Sequence, residues 1–76
     1  MKRPSPFAAV ESLSRRELEV FEGMGSAKSL RQIAAELGIA IKTTQVHRDS
    51  IRRKCGGLTT LEATRIATIW LWEQER

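Results

Sequence analysis

The sequence contains three helix-start signals of one form. Residues 14–17, 29–32 and 59–62 each read Ser/Thr-x-x-Glu/Gln. In this capping box the first side chain accepts a hydrogen bond from the backbone of the fourth residue, and the fourth side chain accepts one from the first. Each box precedes apolar residues at helical spacing, and no sustained period-two alternation indicates a strand. The sequence therefore predicts an all-α fold.

Glycines mark the expected ends of the helices. The first helix is expected to end at 23–25, the second at Gly38 and the third, which begins near Ile41 and runs to Cys55, at 56–57. Residues 38–40 then form a tight turn of the length that joins the two helices of a helix-turn-helix. The expected buried positions are Leu18, Phe21 and Met24, then Ile33, Ala34 and Leu37, then Thr44, Ile51, Cys55 and either His47 or Val46, and finally Ile66, Ala67 and Trp70.

The length of the chain limits what it can build. Seventy-six residues form one domain with a thin core. We assign residues 1–12, which include Pro4 and Pro6, to a flexible N-terminal arm and residues 13–76 to the domain. No apolar run approaches the ~20 residues that span a bilayer. No signal peptide is recognisable, and a single cysteine forms no internal disulfide, so the expected location is cytoplasmic.

The charge of the chain is concentrated in its middle. The whole chain carries +4, whereas residues 28–54, with seven basic and two acidic side chains, carry +5. A basic domain with a pI near 10.0 favours a nucleic-acid partner. An enzyme is not expected, because the chain has no paired carboxylates, no phosphate-binding glycine loop and no nucleophile with its base. No cofactor is expected either.

Four groups of residues along the chain form one pattern. They are Leu13, Ser14, Arg16, Glu17, Glu19, Val20 and Phe21, then Ser29, Gln32, Ile33, Ala34, Glu36, Leu37, Gly38 and Ile39, then Lys42, Thr43, Val46, His47, Arg48, Ile51 and Lys54, and last Glu62 and Ala63. Together they resemble a known family, the LuxR/GerE-type helix-turn-helix DNA-binding domain, and the resemblance runs from Leu13 to about Ile69. A shorter pattern around 33–39 would also fit the last region of sigma factors, but the spacing of Thr43, His47, Ile51 and Lys54 favours the LuxR/GerE type.

The resemblance implies a four-helix domain that regulates transcription. Its third helix would enter the major groove of double-stranded DNA, and its fourth helix would pair with a second copy to form a homodimer. The chain would be a stand-alone member, since no receiver or ligand-sensing domain accompanies the motifs. It departs from the family at Ala40, where Ser or Thr is usual, at Thr44 and Cys55, where larger apolar residues are preferred, at Gln45, often Lys, and at Asp49, a carboxylate on the DNA-facing side.

Contacts to DNA are expected from the third helix and the start of the second. The predicted base contacts are Gln45, Val46, Arg48 and Asp49. The predicted phosphate contacts are Lys28, Arg31, Lys42, Thr43, Arg52 and Arg53. The alternative is that these side chains form an ordinary solvated helix face.

The fourth helix has a second apolar stripe. Leu61, Thr68, Ile69 and Trp72 point away from its core-facing residues, so we predict a homodimer interface there. The alternative is a frayed tail with a partly exposed tryptophan. His47 and Cys55 are expected to be structural, since no second His or Cys has zinc-ligand spacing. A redox-sensing role for Cys55 is the alternative.

A different function is also compatible with the sequence. Ala40, Gln45 and Asp49 weaken the electrostatic case for DNA, and the fourth helix is apolar. The chain would then be a protein-interaction module on a helix-turn-helix scaffold that binds a regulator or RNA polymerase.

Overall fold

The computed structural model describes residues 6–75 and is helical throughout its regular structure. A 3-10 helix spans Pro6–Ser12, and the four α-helices are α1 (Arg15–Gly25), α2 (Leu30–Leu37), α3 (Ile41–Lys54) and α4 (Thr60–Gln74). Residues 6–75 contain no strand. The predicted all-α class is confirmed.

All three predicted capping boxes are present. At the start of α1 the backbone N–H of Glu17 donates to Ser14 Oγ (3.1 Å) and the Ser14 N–H donates to Glu17 Oε1 (2.8 Å). The boxes at 29–32 and 59–62 form the same pair of bonds. These bonds satisfy N–H groups that have no partner within the helix, which is why α1, α2 and α4 begin where they do.

α3 begins without such a cap. Its N-cap residue is Ala40, which has no side chain able to accept a hydrogen bond from the first turn. The Ala40 carbonyl accepts the first intrahelical bond from the backbone N–H of Thr44 (3.1 Å), as at the other helix starts, and also accepts one from the Thr44 hydroxyl (3.0 Å). The second of these satisfies the hydroxyl of Thr44, which is fully buried.

The turns after α1 and α2 share one hydrogen-bond pattern. After α2, Gly38 has a left-handed backbone (φ 68°), its N–H donates to Ala35 and the Ile39 N–H donates to Ala34. This is the Schellman arrangement, which favours glycine at the left-handed position. After α1 the equivalent position is occupied by Ala27 (φ 61°), which adopts the left-handed conformation despite its Cβ.

The glycines of α1 have a second role that the sequence did not reveal. α1 does end at Gly25, as predicted, but Gly25 also lies directly against the backbone of α4. A Cβ on Gly25 would lie 2.6 Å from the carbonyl oxygen of Ala67, and a Cβ on Gly23 would lie 2.6 Å from Cγ1 of Ile33. These two glycines let α1 pack closely against both α4 and α2.

The core lies between α1, α3 and α4, with α2 closing one side. Phe21 at its centre is fully buried and meets Trp70 edge to face, with ring centroids 5.6 Å apart. The sequence left open whether His47 or Val46 faces the core. Val46 is exposed and His47 is half-buried, so the core-facing side of α3 includes His47 and not Val46. The buried apolar residues are Val10, Val20, Phe21, Met24, Ile33, Ala34, Ile51, Cys55, Ala63 and Ala67.

The flexible arm over residues 1–12 stays a prediction, although residues 6–12 have regular structure. They form the 3-10 helix, and Val10, only 6% exposed, belongs to the core. The thin core needs this additional apolar area, and the turn after the 3-10 helix is closed by a bond from the Leu13 N–H to the Val10 carbonyl (3.1 Å). Residues 1–5 lie outside the described part of the chain.

A buried carboxylate connects α1 to α3. Glu17, 6% exposed, accepts hydrogen bonds at Oε1 from Lys54 Nζ (2.7 Å) and at Oε2 from Ser50 Oγ (2.5 Å), in addition to its capping bond. Burial alone would raise the pKa of this carboxyl. The hydrogen bonds from Lys54, Ser50 and the Ser14 N–H, together with the charge of Lys54, outweigh burial and lower the pKa to about 2.

The Glu17 network predicts a specific loss of stability in acid. Because the folded-state pKa lies below the ordinary value of 4.5, the stabilisation is complete above pH 4.5 and is lost as the pH falls towards 2. The shift corresponds to about 3 kcal/mol. Urea unfolding followed by circular dichroism between pH 7 and pH 2 should show this decline in the wild type and a much smaller one in Glu17→Gln. Glu36→Gln, which removes an exposed carboxylate, should keep the wild-type profile. An unchanged pH profile in Glu17→Gln would contradict the assignment.

The uncapped start of α3 predicts a stabilising substitution. In Ala40→Ser the new hydroxyl can accept a bond from the first turn of α3, which is worth about 1 kcal/mol. For a domain of this size the melting temperature should rise by about 4–8 °C. Ala35→Ser, at an exposed position inside α2, adds the same hydroxyl without capping a helix and should give no increase. Equal melting temperatures for Ala40→Ser and the wild type would show that this position does not act as a cap.

Candidate nucleic-acid interface

α3 divides into a buried stripe and an exposed stripe. Thr44, Ile51 and Cys55 face the core. On the opposite side a stripe with helical spacing faces solvent, and we call it the α3 outer face: Lys42, Gln45, Val46, Asp49 and Arg53. α3 follows α2 after the turn at residues 38–40, as the helix-turn-helix prediction required.

The four predicted base-contact residues do not all lie on this face. Gln45, Val46 and Asp49 do, with Val46 60% exposed and the Asp49 side chain 46% exposed. Arg48 lies at the edge of the face, and its side chain is only 24% exposed. Successive residues of an α-helix are about 100° apart around its axis, so a residue at the edge of a face is easily misassigned from sequence.

Asp49 connects the two arginines that flank it. Its Oδ1 accepts from Arg48 Nε (3.2 Å) and from Arg52 Nη1 (3.4 Å). Arg52 also donates from Nε to the carbonyl of Leu58 (2.7 Å), beyond the end of α3. Both arginines are therefore already hydrogen-bonded within the protein.

The predicted phosphate contacts fall into two groups. Lys42, Thr43, Arg53 and Arg31 are exposed, the first three on α3 and the last on α2. Lys28 is paired with Glu36 (Nζ to Oε1, 2.6 Å), and Arg52 is held by Asp49 and Leu58. A groove of about 440 Å³ between the starts of α2 and α4 and the middle of α3 is lined by both Lys28 and Arg48.

The sequence did not single out the residues that anchor α3. Glu17 was recognised as a capping residue, whereas its bonds to Ser50 and Lys54 were missed. Ser50 and Lys54 lie one turn apart on α3, which places them on one face of the helix but does not indicate Glu17 as their partner. The anchor holds the α1-facing side of α3 and leaves the α3 outer face exposed.

The single cysteine is buried and the single histidine is half-buried. Cys55 is 7% exposed, and burial raises the pKa of its thiol, which disfavours the reactive thiolate. His47 is half-buried. Within residues 6–75 no group of three or more His, Cys, Asp or Glu side chains is arranged to hold a metal ion. In the same range no helix has the length and apolar character needed to cross a membrane.

α4 carries an exposed stripe opposite its buried residues Ala63 and Ala67. Leu61 is 70% exposed, Trp72 58% and Ile69 44%. Thr68 is exposed on the same side, and its hydroxyl donates to the Thr64 carbonyl (2.9 Å). We call this stripe the α4 outer face: Leu61, Arg65, Thr68, Ile69 and Trp72.

Known proteins resemble the chain over most of its length. The model of one family, described as bacterial regulatory proteins, luxR family, matches residues 11–67. The transcriptional regulatory protein UhpA of Escherichia coli strain K12 is 36% identical over 55 residues, which are 72% of this chain and 28% of UhpA. UhpA of Salmonella typhimurium strain LT2 is 39% identical over 46 residues, 60% of this chain and 24% of that protein. The chain thus spans about a quarter of these relatives, and no solved structure matches it.

The family match covers α1, the α2–turn–α3 unit and the first half of α4. It includes the residues on which the resemblance was identified from sequence. The chain therefore belongs to the luxR family of bacterial regulatory proteins, which are DNA-binding helix-turn-helix regulators of transcription and not enzymes.

Proposed function

We propose that the chain binds double-stranded DNA in a sequence-specific manner, with α3 in the major groove. The observation that supports this most is the division of α3 into two sides. One side is buried and anchored through Glu17, and the other presents polar and cationic side chains to solvent. A major groove about 12 Å wide admits an α-helix, so a helix held along one side and exposed along the other suits this role.

Base contacts are proposed for the residues that project from α3. The Gln45 amide can pair with the edge of adenine, and Val46 can contact a thymine methyl group. Asp49 offers an acceptor, and Arg48 offers a guanidinium able to pair with guanine. Of these four residues, Arg48 lies furthest from the centre of the α3 outer face, since its side chain is half-buried beside Asp49.

Phosphate contacts are proposed for the basic residues around this face. Lys42, Thr43, Arg53 and Arg31 are exposed and can reach phosphates directly. Lys28 and Arg52 would first exchange their bonds to Glu36, Asp49 and Leu58 for bonds to DNA. Such contacts orient the protein on the duplex and carry no sequence information.

Binding to duplexes selected from a random pool tests this function. Gln45→Ala should relax the preference at one base position, at a cost of about 1–3 kcal/mol. Arg53→Ala should weaken binding to all duplexes alike and lower the slope of log affinity against log salt by about 0.9.

The matched control for these variants is Arg16→Ala. Arg16 lies on α1, is exposed and pairs with Glu19 (3.6 Å), so its removal changes the charge equally but away from α3. If the wild type enriches no motif, or if Arg16→Ala weakens binding as much as Arg53→Ala, α3 is not the DNA-binding helix.

We further propose that the chain binds DNA as a homodimer through the α4 outer face. Three large apolar side chains on one side of a helix are costly to leave in water, and a second copy of the same stripe can cover them. A two-fold dimer would place two α3 helices on half-sites about one helical turn apart.

Trp72→Ala tests the dimer. It removes a large apolar contact from the proposed interface, so sedimentation equilibrium should show the dissociation constant of the dimer rising at least about tenfold. Phe7→Ala truncates another partly exposed aromatic side chain, on the 3-10 helix, and should leave dimerisation unchanged. A wild type that stays monomeric both free and on the selected duplex would contradict the proposal.

One observation favours a second function, a protein-interaction module that binds a regulator or RNA polymerase. Asp49 is an exposed carboxylate on the α3 outer face, and DNA phosphates repel it. Salt separates the two functions, because DNA binding weakens steeply with log salt in proportion to the phosphates neutralised. Binding that depends little on salt and requires a protein partner would favour the second function.

A further inference from the structure

The exposed carboxylate of Asp49 is arranged to accept a further hydrogen bond. Asp49 is the one acidic residue between Ile41 and Lys54. Both arginines donate to its Oδ1, whereas Oδ2 accepts no hydrogen bond from residues 6–75. The side chain is 46% exposed on the α3 outer face. Oδ2 of this partly exposed side chain is therefore available to accept a hydrogen bond from a ligand of the α3 outer face.

The two arginines neutralise this carboxylate, and Arg48 keeps N–H donors available for another partner. Arg48 donates to Asp49 through Nε, and within residues 6–75 its two terminal nitrogens donate to nothing. An arginine has five N–H donors, so Arg48 can hold Asp49 and a DNA group at the same time. One negative charge between two positive ones leaves this cluster with a net charge of +1, which offsets the repulsion between Asp49 and phosphates.

The chemistry of the major groove limits what Asp49 can pair with. An ionised carboxylate only accepts hydrogen bonds. In the major groove the donors are the N4 amino group of cytosine and the N6 amino group of adenine, whereas guanine and thymine present acceptors and a methyl group. Every base pair therefore carries one such donor, but adenine N6 lies beside the N7 acceptor, which repels a carboxylate, whereas cytosine presents its N4 donor without an acceptor of its own in that groove.

We propose that Asp49 is a specificity-determining residue that selects cytosine, through its N4 amino group, at one position of each half-site. This inference rests on the proposed placement of α3 in the major groove. Arg48 and Arg52 are positioning residues for Asp49. They hold the carboxylate in place and cancel its charge towards the phosphates.

The test compares selection from random duplexes by the wild type, Asp49→Ala and Asp49→Asn. The wild type should enrich a C·G pair at one position of each half-site, and Asp49→Ala should lose that preference while keeping the rest of the motif. Asp49→Asn should move the preference at that position to adenine, whose N6 and N7 pair with an amide. An Asp49-dependent preference for an A·T pair in the wild type would overturn the proposal. Melting temperatures equal to that of the wild type would show that the variants are folded.

Affinity and salt dependence provide a second readout. Asp49→Ala removes a negative charge beside two arginines, so it should bind random-sequence duplex more tightly than the wild type. Its slope of log affinity against log salt should be steeper by about 0.9 for each phosphate gained. Its preference for the selected duplex over the random one should fall about tenfold.

Glu36→Ala is the matched control. It removes an exposed carboxylate of α2, which pairs with a basic residue, Lys28, and is not part of the α3 outer face. It should raise affinity for all duplexes alike and leave the selected motif unchanged. If the wild type enriches a motif and Asp49→Ala enriches the same one with the same strength, the inference is wrong while the proposed function stands. If the wild type enriches no motif, both are wrong.

Discussion

The buried carboxylate of Glu17 is the interaction on which the rest of the structure depends. It caps the first turn of α1 and accepts hydrogen bonds from two residues of α3, Ser50 and Lys54. A buried charge is tolerated only when its acceptor positions are filled, and here a cation and a hydroxyl fill them. If α3 moved away from α1, the Glu17 carboxylate would lose its bonds to Ser50 and Lys54 while still buried. This cost holds α1 and α3 in one relative orientation. α2 and α4 pack around that pair.

This anchor determines which side of α3 meets solvent. α3 has few large apolar residues of its own, and its core contact rests on Ile51, Cys55 and the buried Thr44. The polar anchor supplements that small contact on one side, and the α3 outer face is left exposed on the other. The carboxylates of Glu17 and Asp49 therefore differ in role. Glu17 is buried and fixed by bonds to distant elements, whereas Asp49 is exposed, is held by neighbours on its own helix and keeps one oxygen open.

The features that could be predicted from the sequence are those that interactions between residues close in the chain determine. The capping boxes and Gly38 act within a few residues, so the helices and their order followed directly. The Glu17 bonds join residues 33 and 37 positions apart, and no local pattern encodes such a distance. The 3-10 helix has no capping signal and owes its place to the core position of Val10. The edge position of Arg48 depends on how α3 is rotated against α1, which the anchor sets and the sequence pattern does not.

The most direct test of this account is a map of backbone amide chemical shifts while the folded chain is titrated with its selected duplex. The account predicts that the largest changes fall on the α3 outer face, at Gln45, Val46 and Asp49, with the buried Ile51 little affected. It also predicts that the amides of Glu17 and Ser50 stay protected from hydrogen exchange, because the anchor does not open when DNA binds. Largest changes on α1 or on the α4 outer face, with α3 unperturbed, would contradict it.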